Sequence, residues 1–119
     1  MFSFLKKKPI NLDNKEAYEL ILCELIKILR DNSHIPQADW VRQIHGALLR
    51  NDEVDFVKKL NSVDMWGGSG AVWEVQPFIS SDDEKQFGRN IIKLVEQMRI
   101  SNIKYGRARS IADYFRRNN

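Results

Sequence analysis

Cysteine is nearly absent from this chain of 119 residues: Cys23 stands alone. One thiol forms no intrachain disulfide, so the core must hold the fold, and a reducing compartment is expected. Cys23 falls in the apolar run Leu20-Ile21-Leu22-Cys23, where a buried, inert thiol is expected. Two histidines and one cysteine are too few to supply a typical zinc site, so no metal and no cofactor is expected. His34 and His45 read as surface or capping residues. No apolar run is long enough to span a bilayer. Met1-Phe2-Ser3-Phe4-Leu5 places its apolar residues ahead of Lys6, Lys7 and Lys8, the reverse of a secretory signal. A cytoplasmic, soluble protein is expected. The short basic-aromatic tail would give only weak affinity for a membrane surface. Proline and glycine are also sparse, at three and six residues, and the 43% hydrophobic content suffices for one core.

Charge is modest in sum and uneven in place. The net charge is +3, of which Lys6, Lys7 and Lys8 supply three; residues 99–119 add a net +5, so residues 9–98 carry −5. Two basic ends thus flank an acidic body. This pattern suits contact with an anionic partner, and it equally suits helix ends that complement their macrodipoles.

Periodicity predicts an all-α fold: a single-domain bundle of about five helices, spanning residues 13–119 behind a basic tail of residues 1–12. Asp13 with Glu16 three residues on reads as a capping box opening a helix to about Asn32, so apolar around its circumference that a central position is expected. Pro36 suits the first turn of a second helix to about Arg50, with Trp40, Val41, Ile44, Ala47 and Leu48 inward. Asp52 caps a third helix ending near Ser62, with Val54, Val57 and Leu60 inward. Ser81-Asp82-Asp83-Glu84 has capping-box spacing and opens a long fourth helix burying Phe87, Ile91, Leu94, Val95 and Met98. Gly106 is expected to break it, and a fifth helix then turns Ala108, Ile111, Ala112 and Phe115 inward.

Between the third and fourth helices lies Met65-Trp66-Gly67-Gly68-Ser69-Gly70-Ala71-Val72-Trp73-Glu74-Val75. Three glycines and two tryptophans in so short a stretch predict an ordered, shaped loop. Val72-Trp73-Glu74-Val75 alternates, but with no partner strand it is expected to be irregular. Gly-Ser-Gly around Ser69 approaches a nucleophile elbow but lacks the preceding strand and following helix, and both histidines precede the serine. The lysine and hydroxyl of a phosphate-binding loop are missing too. No catalytic residue is assigned.

The pattern Gly67-Gly68-x-Gly70-Ala71-x-x-Glu74 resembles the Gly-Gly-x-Gly-Ser/Ala-x-x-Asp/Glu loop of small all-helical, mostly uncharacterised bacterial proteins, some of them linked to toxin-immunity loci. Ala71 takes the place of the commoner serine. The resemblance implies a bacterial origin, an all-helical fold and a toxin-neutralising role, and it brings no catalytic residues.

Two functional readings follow. The first is a small non-catalytic binding protein, immunity-type or regulatory, meeting a protein partner through Trp66, Gly67, Gly68, Ser69, Gly70, Trp73 and Glu74. The second is a nucleic-acid-binding accessory protein whose Arg107, Arg109, Arg116 and Arg117 contact phosphates. The broad apolar surface of the first helix leaves a homodimer open.

Overall fold

Residues 8–119 are described by the computed structural model; the predicted membrane-surface contact of Phe2, Phe4 and Leu5 lies outside them. Among the described residues the chain is all-helical: α1 (Lys15–Asp31), α2 (Ile35–Leu49), α3 (Glu53–Leu60), the single turn α4 (Val63–Trp66), α5 (Ser81–Ile100) and α6 (Gly106–Asn118). The expected five helices and ordered loop are present, with α4 and a 3₁₀ turn at Val72–Glu74 built into that loop. No helix among the described residues is long and apolar enough to cross a membrane.

α1 packs between α2 and α5, α3 rests on α2, and α6 rests on α5. One contiguous apolar core draws on every helix, from Tyr18, Leu22, Leu25 and Leu29 of α1 to Ile111 and Ala112 of α6. Burying side chains of this size stabilises by roughly 1.5–3 kcal/mol each. The segment ahead of α1 is tied to the connection between α5 and α6. Asn11 donates its backbone N–H to the Ser101 carbonyl, and the Asn102 side chain donates to the Pro9 carbonyl.

Two buried polar nodes fix α1 antiparallel to α5. At one end Tyr18, fully buried, donates its hydroxyl to Ser101 Oγ at 2.9 Å. Ser101 donates to Asn14 Oδ1 at 2.9 Å, and Asn14 Nδ2 donates to Gln97 Oε1 at 2.7 Å. The Tyr18 ring also meets Phe56 of α3 edge-on, with centroids 5.1 Å apart. At the other end buried Asn32 donates to the Ile28 carbonyl and to Asp83 Oδ2, and it accepts the Ile79 N–H at 2.6 Å.

Several local expectations are corrected. Asn14, not Asp13, occupies the N-cap of α1, and it makes no side-chain cap because its amide serves the node with α5. The N-cap of α5 lies one residue earlier: Ser80 is extended, and its Oγ accepts the Asp83 N–H at 3.1 Å. α5 ends at Ile100 without help from Gly106. Asn102 takes φ 62, and the Ile103 N–H closes on the Met98 carbonyl, while Gly106 opens α6. On α3, Val54 is 80% exposed and Phe56 is buried. The two lie about 200° apart around the helix, so only one can face inward, and the larger ring takes that place. Cys23 is exposed, as is Leu20, because α1 is covered on the two sides that α2 and α5 occupy and leaves a stripe open.

Burial pushes the Tyr18 hydroxyl up to about 12, against the opposing pull of Ser101 and Asn14. A raised folded value favours the protonated form in the native state. Its contribution is therefore complete below the unfolded value near 10 and is lost as pH rises towards about 12. Urea unfolding should show Tyr18→Phe less stable by about 1 kcal/mol at pH 8. The gap to the parent should narrow between pH 10 and 12; a gap independent of pH would contradict the assignment.

Candidate functional site

The glycines of the loop have different physical reasons. Gly67 closes α4 with its N–H on the Val63 carbonyl at 2.7 Å, and a Cβ there would lie 2.5 Å from that oxygen. Gly70 has φ 88 in a turn closed by the Ala71 N–H on the Gly68 carbonyl, at the position where such turns favour glycine. A Cβ on Gly68 would meet nothing within 4 Å. The Gln37 side chain reaches across from α2 to the Gly70 carbonyl at 3.1 Å.

The two tryptophans part company. Trp66 is buried, and its indole N–H donates to the Leu60 carbonyl at 2.7 Å, so it anchors the loop from within. Trp73 is half-buried and donates to the Gly67 carbonyl at 2.6 Å, folding the loop back on itself. Gly68, Ser69, Gly70 and Glu74 are exposed. Ser69 has no histidine to serve as its base, since His34 Nε2 donates to the Pro77 carbonyl and His45 faces Glu19.

Beside Trp73 opens a cleft of about 480 Å³ between the loop, the start of α5 and the end of α6. Its wall is an aromatic chain. Trp73 meets Tyr114 edge-on at 6.3 Å, Tyr114 meets Phe115 at 5.2 Å, Phe115 meets Phe87 at 6.1 Å, and Phe87 meets Phe78 at 5.3 Å. His34 extends the chain to 5.8 Å from Phe78. All but the tilted Phe87–Phe78 pair meet edge-on, and such pairs stabilise one another by roughly 0.5–1.5 kcal/mol beyond their burial, which favours a preformed wall. Gly88 lets α6 approach α5 here: a Cβ would lie 3.0 Å from the Phe115 ring. Glu74, Glu84 and Lys85 carry the charges of the lining. Sequence reasoning singled out Trp73 and Glu74 but not this cleft, whose other walls come from distant segments.

Other constellations are weaker. Cys23 Sγ lies 3.8 Å from His45 Nε2, and Glu19 lies 3.3 Å from that same nitrogen. A relay needs thiol and carboxylate on opposite ring nitrogens. Burial and the Glu19 charge also push the thiol pKa up, away from the reactive thiolate. All four candidate arginines are exposed; Arg107 donates to the Trp66 carbonyl and Arg116 pairs with Asp113 at 2.8 Å. Among the described residues no group of three or more metal-ligating side chains gathers.

The loop geometry orders the glycine substitutions. Gly67→Ala should lower stability by roughly 1–3 kcal/mol through the clash, and Gly70→Ala by roughly 1–2 kcal/mol through its backbone angle. Gly68→Ala should stay within about 0.5 kcal/mol of the parent. Urea unfolding measures all three, and equal losses at the three sites would contradict this geometry.

No protein-family model, curated protein or solved structure matches the chain.

Proposed function

We propose that the protein is a small non-catalytic binding protein, immunity-type or regulatory, that engages a protein partner in the bacterial cytoplasm through the Trp73–Glu74 segment and the aromatic cleft beside it. The observation that carries this reading is the pair Trp73, half-buried, and Tyr114, exposed, held edge-on at the mouth of the cleft. Rigid aromatic side chains with one face open lose little entropy on binding and dominate many interfaces. The loop's resemblance to those of bacterial proteins near toxin-immunity loci supports the same direction. The arginine reading is the weaker one, because Arg107 is tied to the Trp66 carbonyl and Arg116 faces Asp113.

Affinity capture from the native host, comparing the parent with Tyr114→Ala and Glu74→Arg, tests the proposal. A specific protein should be recovered by the parent, and its recovery should fall at least about tenfold with either variant while circular dichroism is unchanged. Arg109→Ala with Arg117→Ala should leave recovery intact. Equal recovery by the parent and both cleft variants would overturn the proposal.

A further inference from the structure

Resting on the reading of the cleft as the partner site, we propose that its occupant is an arginine-bearing apolar peptide segment of the partner. Two observations converge. First, the wall presents aromatic rings from three separate elements, and a guanidinium stacks on such rings while its methylene stem covers apolar surface. Second, the rim carries two carboxylates, Glu74 from the loop and Glu84 from α5, and Gln76 holds Glu84 Oε2 at 3.0 Å. No ion pair among the described residues engages either carboxylate, and Lys85 is the single cation among the described lining residues. The volume of about 480 Å³ lies within the usual range of ligand pockets and has room for residues flanking the arginine.

The test uses the full chain and three synthetic peptides, Ac-Gly-Leu-X-Leu-Gly-amide, with X arginine, its neutral isostere citrulline, or glutamate. Titration followed by NMR of the indole and backbone N–H signals should place the arginine peptide at Trp73 and Tyr114. Citrulline should bind about fivefold more weakly, a difference of the size expected for a cation over aromatic rings, and glutamate should bind more weakly still. Glu74→Gln with Glu84→Gln should narrow the gap between arginine and citrulline without closing it, and Tyr114→Leu should weaken the arginine peptide. Citrulline binding as tightly as arginine, or shifts confined to residues outside the cleft, would overturn the inference. If the arginine peptide fails while partner capture still depends on Tyr114 and Glu74, the inference falls and the binding role stands. If capture is independent of both residues, the binding role itself falls.

Discussion

The antiparallel register of α1 against α5 is the constraint on which the rest of the structure depends. An apolar seam alone tolerates sliding, because one leucine replaces another at little cost. The polar nodes do not, since a buried hydroxyl or amide displaced from its partner costs roughly 1–3 kcal/mol. Tyr18 with Ser101 and Asn14 fixes one end, and Asn32 with Asp83 and Ile79 fixes the other. Held at both ends, α5 offers a fixed platform for α6 and for the loop that precedes it.

The cleft follows from that register. Asn32 holds the Ile79 N–H just after Phe78, and His34 holds the Pro77 carbonyl just before it, so the Phe78 ring is placed against Phe87. Gly88 admits Phe115, and Trp73 is held from the far side by the Gly67 carbonyl. The aromatic wall is thus a consequence of polar contacts made elsewhere, and its rigidity is what suits it to recognition.

Helix positions were legible in the sequence because caps and periodicity are local. Asp52 caps α3 as its spacing indicates, and Phe87, Ile91, Leu94, Val95 and Met98 are all buried. The rest depends on neighbours. Ser81 has the capping-box spacing with Glu84, yet the extended backbone of Ser80 makes that residue the cap. Leu20 and Cys23 look like core until α1 is seen to have cover on two sides only. No local pattern marks Asn14, Asn32 and Ser101, which form the nodes. The cleft was illegible as a unit, since Trp73, Phe78, Phe87 and Tyr114 lie on separate segments that meet only in the fold.

The central claim is that the partner meets Trp73 at the cleft while Trp66 stays inside. The indole N–H resonances of the two residues, recorded with and without the captured partner, test it most directly. The account predicts a shift at Trp73 and none at Trp66, whose N–H is buried on the Leu60 carbonyl. An unmoved Trp73 in the saturated complex would contradict it.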